Sequence, residues 1–209
     1  MTVIRVGLPY SALTHLALTA LDMRAPALIS MGSFYRRSEG GLSRAIGGAP
    51  WVVPCALDSA GFSAMVQWGG YPWTVEEHVE FVRTNGGQWR LPIPWQWWAA
   101  MDYCCEQAIA SDRYQVEHRM HLTIESAQET LEWVDQWRSE GDQLDYPMLT
   151  LQGRTPADYL WSMREIAKVW AYRDGELPAL LGVGSVCTRP LHGGEGLLAV
   201  EQTRQLSLF

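Results

Sequence analysis

The chain predicts an α/β fold arranged as a TIM-barrel-like parallel (β/α) array, incomplete at its C-terminal end. Three observations carry this. Short apolar runs alternate with stretches of helical spacing, the pattern of strand–helix units around a parallel sheet. The runs end in polar residues, namely Asp58, Asp102, Gln152 and Ser185, as barrel strands do at their functional end. No Gly-rich phosphate loop follows the first apolar run, which weakens the alternative of a doubly wound open sheet. The pattern yields about six strands, whereas an eightfold barrel usually takes about 250 residues and this chain has 209.

In chain order, residues 3–7 form a short apolar start and residues 11–21 have helical spacing. Residues 27–31 are a second strand, followed by a Gly/Ser/Arg loop to Gly48. Residues 51–57 are a continuous apolar strand that delivers Asp58 into the small-residue turn Ser59-Ala60-Gly61. Thr74 and Glu77 have capping-box spacing for a helix over 76–83, closed by Asn85-Gly86-Gly87. Three prolines (Pro72, Pro92, Pro94) favour extended chain over 89–94, and Ala99-Ala100-Met101 leads to Asp102. A helix is predicted over 116–138, with Leu122, Ala127, Leu131 and Val134 on its apolar face and Gly141-Asp142 as its stop. Residues 147–151 are a strand ending in Gln152-Gly153, and 156–172 a helix with Pro156 in its first turn. Residues 179–183 are a last strand before Gly184-Ser185, and 194–204 a last helix. Domain organisation is expected to be one unit over 1–204 with a short tail, 205–209.

Composition narrows the class. Hydrophobic residues at 47% and charged residues at 19% describe a globular chain. No signal peptide and no membrane-length apolar run is visible, so a cytoplasmic protein without membrane contact is expected. A net charge of −7 argues against a broad basic face for nucleic acid, although Arg36, Arg37 and Arg44 lie close together. Four cysteines, Cys55, Cys104, Cys105 and Cys187, have no zinc-site spacing and read as reduced core or site thiols. Neither a metal nor a cofactor is expected. Of the 11 tryptophans, Trp95, Trp97 and Trp98 crowd one loop where they could present flat surfaces to bases.

The candidate residues each have a plainer alternative. Asp58 can cap the following turn or helix, Asp102 can be an N-cap or ion-pair partner, and Gln152 can be a turn residue. Glu106 is either an acid behind the site or a helix-start charge. His118 and His121 are spaced as a metal pair on one helix face, or are ordinary satisfied histidines. Cys105 and Cys187 read better as small buried residues than as nucleophiles.

Several of these residues together resemble a known family. Asp58-Ser-Ala-Gly-Phe62 is similar to the Asp-Ser-Gly-Gly-Phe segment of the tRNA-guanine transglycosylases. Met101-Asp-Tyr-Cys-Cys-Glu106, with His118, Thr123 and Leu131, resembles the corresponding stretch of their DNA-acting relatives, the DpdA deazaguanine DNA transglycosylases. Leu151-Gln-Gly153 with Asp158-Tyr159, and Gly182-Val-Gly-Ser-Val-Cys-Thr-Arg189, are similar to that branch too. The resemblance runs from about residue 50 to 190, in order.

The resemblance implies exchange of guanine in DNA for a 7-deazaguanine through a covalent aspartate–sugar link. Asp58 would handle the base protons and read the purine, and Asp102 would accept hydrogen bonds from purine N–H groups. Ser59, Gly61, Phe62, Gln152, Gly153, Gly184 and Ser185 would line the base, with Glu106, His118, Cys187 and Arg189 behind them. DNA and a free 7-deazaguanine base would be the partners. A base inside a duplex would first have to be flipped out.

Three departures qualify this. Ala60 stands where the tRNA enzymes have Gly, their zinc-binding cysteines are missing, and no Asp follows Ser185, where the family's nucleophile lies. A second chain would then supply the last strands, or Asp58 or Asp102 would take the role. A non-catalytic purine- or DNA-binding protein, or a tRNA-acting relative, are the alternatives. The tail Gln205-Leu-Ser-Leu-Phe209 resembles the peptides that dock on the replication sliding clamp, with Leu206, Leu208 and Phe209 as anchors and Gln205 orienting the strand. The alternative is a last helix packing on the core.

Overall fold

The computed structural model describes residues 6–8, 27–43, 55–86, 95–171, 173, 178 and 180–185. Strand β1 (Val6–Leu8) pairs in parallel with β2 (Ala27–Ser30), which pairs in parallel with β5 (Cys55–Asp58). A 3-10 turn, Met31–Phe34, follows β2. The loop expected beyond it contains a small antiparallel hairpin, β3 (Tyr35–Arg36) with β4 (Gly41–Leu42), which Gly40 at φ 66° allows to turn.

The parallel pairing then continues in chain order through single bridges. Leu57 bridges Trp98, with the Leu57 N–H donating to Trp97 O (3.1 Å) and the Ala99 N–H to Leu57 O (2.9 Å). Ala99 in turn bridges Met148, which leads into β6 (Leu149–Leu151), and β6 pairs in parallel with β7 (Leu181–Val183). Each segment therefore neighbours its predecessor in sequence. Because the pairings along this array, the separate β3–β4 hairpin aside, are parallel, Asp58, Asp102, Gln152 and Ser185 leave it at the same end. The fold is mixed α/β with small parallel sheets, and closure into a barrel is not seen among the described residues.

Four α-helices lie among the described residues: α1 (Gly61–Trp68), α2 (Val75–Gly86), α3 (Arg113–Ser139) and α4 (Pro156–Trp170). The capping box at α2 forms as the sequence indicates. Thr74 Oγ1 accepts from the Glu77 N–H at 3.1 Å, and the Thr74 N–H donates to Glu77 Oε2 at 2.8 Å. Helix α3 starts a turn earlier than expected because Asp112 caps it, accepting from the Gln115 N–H at 2.8 Å. Helix α4 has Pro156 in its first turn and a capping box of Thr155 with Asp158. The expectations for residues 11–21, 51–54, 89–94 and 194–204 lie outside the described residues.

The main core packs β2 and β5 against α2 and α3 through Ile29, Leu57, Val79, Val82, Trp98 and Val134. A second cluster, around Leu131, Leu149, Leu151, Tyr159 and Ile166, seats α4 on β6. Trp95 and Trp98 belong to the first cluster, and Trp98 Nε1 donates to Asp145 O at 2.9 Å. The idea that these rings face bases is thereby corrected: their apolar area is spent inside. No helix among the described residues is long and apolar enough to cross a membrane.

Leu57 is fully buried at the junction of β2, β5 and the Trp98 bridge. Leu57→Ala is expected to lower unfolding free energy by about 2–5 kcal/mol, measured by urea denaturation. A loss below about 1 kcal/mol would place the core elsewhere.

Candidate functional site

The site is built on the turn after β5. Asp58, the last residue of that strand, is half-buried, and its Oδ2 accepts from the Ala60 N–H at 3.1 Å. The turn-capping alternative for Asp58 is therefore real. Ala60 adopts a left-handed conformation (φ 70°, ψ 20°) so that the chain can swing into α1. The two non-glycine residues with positive φ among the described residues are Ala60 and Ser185. Both border the acids, where such strain tends to gather.

Ser59 joins the two acids' segments. Its hydroxyl donates to Asp102 Oδ1 while accepting from the Gly61 N–H (3.2 Å) at the start of α1. Gly61 has to be glycine, because a Cβ there would lie 2.6 Å from Asp102 O and 2.8 Å from its Oδ1. On the other side, Gln152 Nε2 donates to Asp102 Oδ2. The Gln152 carbonyl accepts from Ser185 Oγ at 2.5 Å, and Ser185 Oγ accepts from the Cys105 N–H at 2.5 Å. Asp102 is thus not a helix cap: the next helix begins at Arg113, and its carboxylate binds two other strand ends.

Burial raises Asp102 first, and the neighbouring Asp58 charge adds to it against the Ser59 and Gln152 hydrogen bonds, leaving the carboxyl at about 6. Burial also raises Asp58, opposed by the N–H groups of Ala60 and Ser59. Two neighbouring acids, both raised chiefly by burial, can accept N–H donors when ionised and pass a proton when neutral.

Residues that the motifs did not flag hold this arrangement. The Tyr71 hydroxyl accepts from the Asp102 N–H (3.2 Å) and donates to Asp102 O (2.9 Å), clamping that peptide on both sides. Nothing in the sequence around Tyr71 signals this. Tyr159 OH donates to Gly184 O at 2.8 Å. Asp158 packs under Gly153, where a Cβ would lie 2.5 Å from the Asp158 Cβ. Its carboxylate accepts from the Arg154 and Thr155 N–H groups (both 2.9 Å) and from Arg113 Nη1 (2.5 Å). Burial alone would raise Asp158, but those donors outweigh it and hold the carboxyl below its ordinary value. The Thr155-Pro-Ala-Asp158 pattern was the signal available for this cap.

The other candidates fall as follows. Glu106 is buried before α3, and its carbonyl accepts from the Ile109 and Ala110 N–H groups, so the helix-start alternative is corrected. Phe62 is 40% exposed on α1. His118 is exposed and stacks on Tyr114, off the buried stripe of Val116, Met120 and Thr123, and His121 meets Trp161 edge-on instead. Neither histidine is brought to the acids. Cys105 is fully buried and its thiol is pushed up to about 12, chiefly by burial, as suits a packing residue. Arg44, Cys187, Arg189 and the tail residues Gln205, Leu206, Leu208 and Phe209 lie outside the described residues.

One buried histidine bears on the pH behaviour of the fold. His78 donates from Nε2 to Ala99 O (3.0 Å) and accepts at Nδ1 from Trp73 Nε1 (3.3 Å), which fixes it neutral, and burial lowers it to about 4. Its contribution to stability is lost as pH falls from about 6.5 through 4. Asp102 has the opposite sign. It binds a proton in the folded state between 3.8 and about 6, so its contribution is present at low pH and lost as pH rises through 6. Each effect is on the order of 3 kcal/mol and the two oppose each other. The difference between wild type and Asp102→Asn isolates the acid: relative to the variant, wild type is expected to lose stability between pH 4 and 6.5, followed by urea midpoints. A difference that is flat across that range would contradict a raised Asp102.

No curated protein matches the chain. Residues 24–202 match the model of one protein family, described as DeoxyPurine in DNA protein A. Membership in it implies modification of DNA with a deazapurine, by an activity of the guanine transglycosylase type. With the match covering most of its length, the chain belongs to the DpdA family.

Proposed function

We propose that the protein exchanges guanine in DNA for a 7-deazaguanine base at the site built around Asp102. The observation that supports this best is the hydrogen-bond chain linking Ser59, Asp102, Gln152 and Ser185 at one end of a parallel array. Ionised Asp102 accepts from the purine N1–H and exocyclic N–H groups, and Gln152 donates from Nε2 to the purine carbonyl. Gly61 and Gly184 let the chain pack closely against Asp102 and Gln152, and Phe62 offers an apolar face beside them.

In the exchange, a carboxylate oxygen attacks C1′ of the target nucleotide and the C1′–N9 bond breaks. Guanine leaves with a proton on N9, supplied by Asp58. The incoming deazaguanine then loses its N9 proton to Asp58, and its nitrogen displaces the carboxylate from C1′. Positive charge developing at the sugar is stabilised by the neighbouring carboxylate, as in glycoside chemistry. The attacking carboxylate belongs to a second chain that completes a barrel with the strands described; were Asp58 or Asp102 to attack instead, the other acid would have to take over its part on the base. The parallel neighbours in chain order support that barrel-like arrangement. Recruitment to DNA by the 205–209 tail rests on its sequence.

Incorporation of radiolabelled 7-deazaguanine into guanine-containing DNA tests this, with the protein alone and with the products of neighbouring genes. Label is expected in DNA with wild type and is expected to fall at least 100-fold with Asp58→Asn or Asp102→Asn, the scale set by loss of an essential proton-transfer group. Tight purine binding without any incorporation would favour the non-catalytic reading. Incorporation into tRNA in place of DNA would favour the tRNA-acting one.

A further inference from the structure

We infer that Ser185 sets the direction of the Gln152 side-chain amide and thereby makes the site select a 6-oxopurine over a 6-aminopurine. The inference rests on the base-exchange reading and adds the residue that determines specificity within it.

A glutamine amide has a donor end and an acceptor end of almost the same shape, so its polarity is fixed only by its neighbours. At Gln152 both neighbours are defined. The Cys105 N–H, which can only donate, occupies one lone pair of Ser185 Oγ at 2.5 Å. The Ser185 proton then goes to Gln152 Oε1, also at 2.5 Å. That leaves Nε2 facing Asp102 Oδ2. Reversing the amide would set Oε1 against the Asp102 carboxylate and deprive the Ser185 proton of its acceptor. The rim around Gln152 is closely packed: it is fully buried, Ser185 is 3% exposed, and a Cβ at Gly184 would run into the amide. Water therefore has little room to replace the lost partner.

With its carbonyl engaged by Ser185, Gln152 has only its second N–H left for a base, which must part the packed rim to reach it. Ionised Asp102 beside it shows only acceptors. A donor beside acceptors complements a ring carbonyl next to N1–H and an exocyclic amine. It opposes a 6-amino group next to an unprotonated N1, where like groups would face each other on both sides. Mismatches of this kind are rejected far more strongly than differences in apolar bulk. Ser185 holds a left-handed φ of 57° that glycine would adopt at less cost. A side chain kept there despite that cost is consistent with a hydroxyl the site needs.

Calorimetric titration of the full chain with 7-deazaguanine and with 7-deazaadenine, for wild type, Ser185→Gly and Ser185→Ala, tests the inference. Ser185→Gly removes the hydroxyl while suiting the backbone, so it is expected to lower the melting temperature less than Ser185→Ala, although both leave the Cys105 N–H and Gln152 Oε1 without the hydroxyl. Wild type is expected to prefer the 6-oxo base, and both variants are expected to lose about tenfold of that preference, the equivalent of one hydrogen bond of about 1.4 kcal/mol. The loss is expected to come partly from tighter binding of the 6-amino base. If both bases weaken by the same factor and the ratio holds, Ser185 is structural and the inference falls. If wild type shows no preference for the 6-oxo base, the base-exchange reading falls and the inference with it.

Discussion

A carboxylate taken out of water must be given donors, or it gives up its charge. Asp102 meets that requirement with Ser59 from the turn after β5 and Gln152 from the end of β6, while Tyr71 holds its peptide from the loop after α1. Three parts of the chain that share little backbone pairing at that end are thereby fixed around one acid. The donors do not fully compensate for burial and for the charge on Asp58, which is why the carboxyl sits at about 6. An acid held at that balance is sensitive to any further donor, and a purine edge is a set of donors.

The architecture supplies the common end at which these groups meet. Parallel pairing in the order β1, β2, β5, the bridges at Trp98 and Ala99, β6 and β7 brings the ends of those segments to the same side, and the helices pack so that close approach is enforced there. Gly61 lets the start of α1 come against Asp102, and Gly153 lets Gln152 turn over Asp158. Asp158 in turn caps α4 and is tied to Arg113 at the start of α3. The cost of the arrangement shows in the backbone at Ala60 and Ser185. At Ala60 the strain follows from a side chain standing at a glycine-like position of the turn.

Much of this was legible in the residues because it is local. Thr74 and Glu77 at capping-box spacing, Pro156 in a first turn, and apolar runs stopping at Asp58, Gln152 and Ser185 each carry their structural consequence within a few residues. The start of α3 was misplaced by a turn because the apolar stripe was read without the Asp112 cap. What was not legible is contact across the chain. Tyr71 reaches Asp102, Tyr159 reaches Gly184, and the Cys105 backbone reaches Ser185, and no local pattern announces any of them. The tryptophans at 95 and 98 misled for the same reason: an aromatic residue reads alike whether its ring fills a core or faces a ligand.

Carbon-13 magnetic resonance of aspartate-labelled protein reads the central carboxylate directly, with the Asp102 signal identified by its loss in Asp102→Asn. The account predicts a titration midpoint near 6 that moves down when 7-deazaguanine is added, because the base's N–H groups stabilise the charged form. An ordinary midpoint near 3.8, or a midpoint that ignores the base, would contradict it.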